Sequence, residues 1–351
     1  MKEEIITTLK DLLSFKTFEE NKDEFDKLFD YVKNKYDNLK IQEYEFNNKK
    51  ALVVSNTSEK ELDIIICTHV DVVYDETYEY YEDDENIYGR GTIDMKGSVA
   101  VALTLLKNLK TNLKVALFMT SDEEIDGYGA SQLAKIYTGK FVIVPDGGSN
   151  FELIAEEKGL IQLELSTKTK AAHAARLFDG ENAITKLFNV YNKIIEAYPL
   201  PKSEDEYITS VNLSKLNGGV SNNQVPDHAT MFLDIRYISK DNREEIINFI
   251  KGIDPSVLVK VVTIGSAFHT DLENENVENY INSCEKILNK KITIKGCEST
   301  SDGIFFADLG MPTVIMNPLG KNPHSKDEYV NKESLLTLYK IYEDFLGGYD
   351  E

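Results

Sequence analysis

Short apolar runs set between helical stretches constrain this chain more than any other feature. LKVALFMT, KFVIVPD and MPTVIMNP are rich in Val, Ile, Leu or Phe and too short for buried helices. Such runs suit strands covered on both faces of a parallel sheet. Helical stretches separate them, among them GSVAVALTLLKNLK at 97–110. Two further helices open the chain, near residues 2–14 and 22–38. The apolar stripe of the first lies on Ile5, Ile6, Leu9, Leu12 and Leu13. Strand-like IQEYEF, KALVVS and ELDIIICTHVD follow. The class is α/β, with a mixed, mostly parallel sheet.

The middle of the chain breaks this rhythm. A strand at 160–169, a helix near 181–198, strands at 207–216 and 228–237, a helix at 241–252 and a strand at 257–264 follow in turn. The order β-α-β-β-α-β is the ferredoxin-like arrangement, which closes on itself. It predicts an inserted α+β domain at 168–267, dividing the α/β part into residues 1–167 and 268–351. A chain of 351 residues suits about two domains. The acidic, Tyr-rich segment YEYYEDDENIY at 78–88 reads as a solvated hairpin.

Composition removes several function classes. Acidic residues outnumber basic ones 60 to 39, a formal charge of −21. Such a surface repels phosphate backbones, so a nucleic-acid partner is not expected. A polybasic membrane patch and an apolar run of about 18 residues are also missing, so neither is a membrane. MKEEIITTLKDLLSF mixes charge with apolar residues at helical spacing and reads as a first helix, not a signal peptide. Cys67, Cys284 and Cys297 are odd in number and far apart, which fits neither a disulfide framework nor a zinc finger. A cytoplasmic location is the expectation.

Five acid or histidine clusters carry the chemistry. His69 and Asp71 follow the apolar run ending at Cys67; Asp94 lies in YGRGTIDMKG; Glu123 and Glu124 follow LKVALFMT; Asp146 follows FVIVP; His324 lies beyond TVIMNP. Ligands of open α/β sheets bind beyond the carboxyl ends of the strands, where four of these clusters fall. Each has an ordinary structural reading alone: a strand-end turn for His69, glycine turns for Asp94 and Asp146, a helix N-cap for the Glu pair, a surface loop for His324. Together, two His and three carboxylates with one bridging supply about three ligands to each of two zinc ions. Asp71, at i+2, can fix the tautomer of His69. Glu123 is then left free to act as general base in a hydrolysis.

CTHVDVV, YGRGTIDMKG, SDEEIDGYGA, VPDGG and NPHSKDE together resemble, in order, the five metal-site signatures of the di-zinc exopeptidase and deacylase family. That family holds acetylornithine deacetylase, succinyl-diaminopimelate desuccinylase, aminoacylase, glutamate carboxypeptidase and several dipeptidases. KAAHAARLFDGENAI, GGVSNNQVPDHATMFLDIRY and STSDGIFFADLGMP extend the likeness across nearly the whole chain. The resemblance implies that His69 and Asp146 hold one Zn²⁺, Glu124 and His324 the other, and Asp94 bridges them. Co²⁺ or Mn²⁺ suits the same donors. It further implies that Asp71 orients His69, that Glu123 is the base, and that a cis peptide follows Asp94. The inserted domain becomes a lid and dimerisation domain whose His173 acts in the partner's active site of a homodimer. Asn222, Ser301 and Asp302 lie in the matching substrate-side segments.

His228 and His269 match no ligand signature, and nucleotide-binding and serine-hydrolase motifs are absent. Only four arginines occur. Arg90 belongs to a metal-site motif and Arg243 to a predicted surface helix, which leaves Arg236 and Arg176 for a substrate carboxylate. The expected activity is metal-dependent hydrolysis of an amide bond. The resemblance implies that Asp at 146, which in this family goes with dipeptidases and aminopeptidases, leans toward small peptides; STSDG and NNQVPDHA look closer to the N-acyl amino-acid deacylases, which is the alternative. A non-catalytic peptide- or metal-binding relative is the third reading, against which the intact Glu123 stands.

Overall fold

The computed structural model describes residues 1–76, 79–203 and 206–348. They form two units, one of Met1–Ala155, Thr270–Cys297 and the chain from Ser301 onward, the other of Glu156–His269 with Glu298–Thr300.

In the first unit, Val115–Thr120 and the second half of Glu61–His69 are buried at every residue. Only a sheet covered on both faces accommodates such strands. Glu61–His69 runs parallel to both Val115–Thr120 and Thr138–Val144, and Thr313–Ile315 extends the parallel set. Lys49–Ser55 joins antiparallel to Val115–Thr120 and pairs with Lys40–Phe46 at the edge. Helix Gly97–Asn108 is buried from Gly97 through Leu106, as a helix apolar on all sides must be. It packs on Lys2–Leu13 and Lys332–Gly347. Ile5, Leu9, Leu103, Tyr280 and Phe345 belong to one core there, each contributing roughly 1.5–3 kcal/mol by burial. Tyr128–Ile136 packs on Gly303–Ala307 and on Lys49–Ser55.

A small antiparallel ribbon of Gly320–Lys321, Tyr329–Asn331, Asn86–Tyr88 and Tyr81–Glu82 completes this unit. The hairpin read at 78–88 corresponds to the last two strands; Tyr78 lies outside the described residues.

The second unit is the β-α-β-β-α-β element. Its strands lie in the order Ser210–Gly218, His228–Tyr237, Gly159–Lys168, Leu258–Gly265, all antiparallel. Buried and half-buried residues alternate along the two central strands, so one face is apolar. Ile161, Leu163 and Leu165 from that face share a core with Leu187 and Ile194 of helix Ala183–Ala197 and Ile246 and Ile250 of helix Arg243–Ile253. The unit begins at Glu156, not at 168, and ends at His269, not at 267. Gly159–Lys168 pairs along its whole length with His228–Tyr237, a long-range pairing that no local pattern marks. Cys67 and Cys284 are buried. Among the described residues no helix is long and apolar enough to cross a membrane.

Candidate metal centre

Three parallel strands and two loops of the first unit deliver the charged residues to one place. His69 is the last residue of Glu61–His69 and is 1% exposed. Its Nδ1 lies 3.0 Å from the Asp71 carbonyl oxygen and 3.4 Å from the Asp71 carboxylate. Its Nε2 faces Asp94 Oδ1 at 3.0 Å and Asp146 Oδ2 at 3.8 Å. Asp146 stands two residues past Thr138–Val144. Asp94 sits in the turn that leads into helix Gly97–Asn108, followed by a cis peptide to Met95. Gly91 opens that turn at φ +81°, where a Cβ would stand 2.7 Å from Val72 Cγ1.

Glu124 follows Val115–Thr120, and its backbone N–H donates to Asp71 Oδ2 at 3.0 Å. The one Asp71 side chain thus faces both the His69 ring and the Glu124 backbone. His324 comes from the ribbon, in the loop between Gly320–Lys321 and Tyr329–Asn331. Its φ of 62° is uncommon for a residue other than glycine. Nε2 of His324 lies 3.1 Å from Asp94 Oδ2 and 3.1 Å from both Glu124 oxygens. Two three-residue donor sets result, His69 with Asp94 and Asp146, and Asp94 with Glu124 and His324. In each, the ligand atoms lie within 4.8 Å of one another. Asp94 is common to both.

The electrostatics fit divalent cations. Burial alone would raise the Asp94 carboxyl, but hydrogen bonds from His324 and His69 hold it well below the carboxylate range. Burial and the Asp94 charge push Asp146 up to about 7. Hydrogen bonds to Asp94 and Glu124 raise His324 to about 10. Without ions, protons must balance this crowd of carboxylates; imidazole nitrogens and carboxylate oxygens in groups of three are what zinc-like ions bind in their place.

Glu123 belongs to neither set. Burial and the neighbouring Asp146 push its carboxyl up to about 10. Asp302 is among the charges that act on it. Ser301 and Asp302 are both buried, and Asp302 accepts a hydrogen bond from Thr120 Oγ1 at 3.3 Å. Asp302 is thus held inside the unit next to Thr120. The remaining sequence candidates lie in the second unit. His173 pairs with Gln224 in a two-strand ribbon, and Asn222 is exposed in the turn just before it. Arg176 pairs with Asp179 and Arg236 with Asp234, so both guanidinium groups already have carboxylate partners.

Sequence reading gave Asp75 and Glu328 no role and placed Arg90 only in a metal-site motif, yet all three side chains are almost wholly buried. Arg90 donates to Asp75 at 3.1 Å and to Glu328 at 3.2 Å. It is the only arginine of the first unit, and its place in a metal-site motif was the one available signal. An acid four residues after His324 gives no sign of such burial.

Similar proteins supply the context. A [LysW]-lysine/[LysW]-ornithine hydrolase of Saccharolobus solfataricus is 31% identical over 261 residues, 72% of this chain and 69% of that one. A Saccharolobus islandicus protein of the same name is 30% identical across 95% of this chain and 91% of its own. Among solved structures, aminopeptidase PepT of Bacillus cereus matches with TM-score 0.80 at 19% identity, over 99% of this chain and 98% of that one. A Bacillus subtilis dinuclear metal-binding peptidase matches with TM-score 0.71 at 12% identity, over 99% and 98%. These likenesses show a shared fold. Residues 65–347 match the profile of peptidase family M20/M25/M40, and the chain belongs to that family of metal-dependent amide-bond hydrolases.

Proposed function

We infer that this chain hydrolyses the amide bond of an acylated or conjugated amino acid, using a pair of zinc ions held by His69, Asp94, Asp146, Glu124 and His324. The observation that carries the reading is the pair of three-donor sets sharing Asp94, with the unligated Glu123 next to Glu124. When bound, the ions supply Lewis-acid polarisation of the scissile carbonyl and a more acidic water. Glu123, ionised once bound cations offset the carboxylate charge that raises it, takes a proton from the attacking water and delivers it to the leaving amine as the C–N bond breaks. Asp71 holds the His69 ring and the Glu124 backbone in register. His173, supplied by the second unit of a partner in a homodimer, donates a hydrogen bond to the developing oxyanion. Its Nδ1 accepts from the Ala175 N–H at 3.1 Å, so the ring proton sits on Nε2, free to donate.

Sequence alone leaned toward small peptides. The relatives named for [LysW]-lysine and [LysW]-ornithine move the balance to a substrate that releases a basic amino acid. A formal charge of −21 favours a cationic product over a doubly anionic one. Small-peptide hydrolysis is the second reading, supported by the fold shared with PepT. A panel of Nα-acyl-lysine, Nα-acyl-ornithine, neutral dipeptides and N-succinyl-diaminopimelate, assayed with and without chelator at one ionic strength, tests both. The first reading requires chelator-sensitive hydrolysis at least tenfold more efficient on the acyl diamino acids than on the dipeptides. The reverse order replaces it with the second.

A further inference from the structure

We propose that Asp75, Arg90 and Glu328 are positioning residues that set the place of the shared ligand Asp94 and, through it, the affinity of the centre for both ions. The inference rests on the metal-centre reading above. None of the three belongs to either donor set, yet their side chains are 7%, 5% and 1% exposed. Burying three charges is a poor route to stability, because well-packed apolar residues of similar volume do as well or better. Their geometry gives them another use.

Glu328 spends both carboxylate oxygens on the Asp94 turn. Oε2 accepts from the Gly91 N–H at 3.0 Å, and Oε1 from Ile93 and from Asp94 itself at 3.1 and 3.3 Å. Its backbone carbonyl accepts from the Gly89 N–H at 2.9 Å. The turn therefore hangs on a residue four positions from His324, across 234 residues of sequence. The guanidinium of Arg90, in the same turn, joins Glu328 to Asp75, which lies four residues after Asp71. Three ligand-bearing segments, 69–75, 90–94 and 324–328, are thus tied by one set of charge-assisted hydrogen bonds. Such bonds are directional and about twice as strong as neutral ones. Asp94 is the ligand common to both ions, so a shift of its backbone is felt at both.

The test uses the full chain, stripped of metal and titrated with Zn²⁺ or Co²⁺ well below the melting temperature. Calorimetry reads the affinities, and the visible spectrum of the Co²⁺ form reads ligand geometry. Glu328→Gln is expected to weaken both ions together, by about 10–100-fold as partners of ligands do, and to change the Co²⁺ spectrum. Asp75→Asn leaves the Glu328 contacts to the turn in place and should cause a smaller shift in the same direction. His324→Ala, by contrast, should weaken one ion far more than the other. A purely structural role would lower the melting temperature of the variants and leave affinities and spectrum alone, which would overturn the proposal. If Glu328→Gln does not fold, Asp75→Asn decides by the same criteria. Failure of the wild-type chain to take up divalent ions would instead sink the metal-centre reading beneath it.

Discussion

Glu123 and Glu124 are neighbours with opposite assignments, one free carboxylate beside one that faces His324 at 3.1 Å. Glu123→Gln keeps the shape and removes the base. Its turnover should fall by about 10²–10⁴-fold, the usual worth of a general base, while metal content stays near two ions. Glu124→Gln should instead lose metal. A Glu123→Gln protein without metal beside a loaded Glu124→Gln protein would exchange the two roles. Residues of this kind were legible in the sequence because each follows an apolar strand or sits in a glycine turn, where α/β sheets place ligands. Glu328 was not legible. Its meaning comes from N–H groups more than 230 positions away, and a buried acid leaves no local trace that separates it from a surface one.

At the scale of elements, periodicity carried the reading and pairing escaped it. The runs at 61–69, 115–120 and 138–144 form strands because nothing but a covered sheet can hide them. The helix read at 97–110 ends at Asn108, where the backbone turns extended at Leu109, whose side chain still packs against the core. The division at Glu156 depended on which neighbour Gly159–Lys168 would choose, and its alternating pattern suits an edge or a centre equally. The ribbon that carries His324 is held at its far end by Asn331, whose Oδ1 accepts from Glu333 and Ser334 N–H at 3.1 and 3.0 Å. This caps helix Lys332–Gly347 just after Tyr329–Asn331. Asn331→Ala should cost about 0.5–2 kcal/mol, seen as a lower melting temperature of the metal-free protein. Unchanged melting would mean that the cap adds nothing to the ribbon and helix it joins.

For the whole molecule, two consequences follow from a centre built in one unit and an inserted unit that carries His173. The first is linkage. Ions that bind only the folded chain stabilise it, each by about 2.7 kcal/mol at a hundredfold excess over Kd, so chelating both should lower the melting temperature by about 5–10 °C. Ligation needs deprotonated groups, and without ions Asp146 is raised to about 7 and His324 to about 10. Uptake near pH 7 should release protons and tighten as pH rises from 6 to 8, measured by titration in two buffers of different ionisation enthalpy. Affinity that falls over this range would contradict the ligand set. The second is complementation. In the proposed homodimer, mixing His173→Ala subunits with Glu123→Gln subunits, each expected to be inactive alone, should give mixed dimers in which one site has Glu123 from one chain and His173 from the other. That site should work and the opposite site should not, because it lacks both groups. Each mixed dimer should then reach half the wild-type rate, and a random mixture about a quarter, since half of its dimers are mixed. Activity that appears on mixing and scales with the mixed-dimer fraction identifies a residue acting across the interface. An active His173→Ala protein, a monomeric chain, or mixed dimers that form and stay silent would each remove His173 from the reaction in the partner's site.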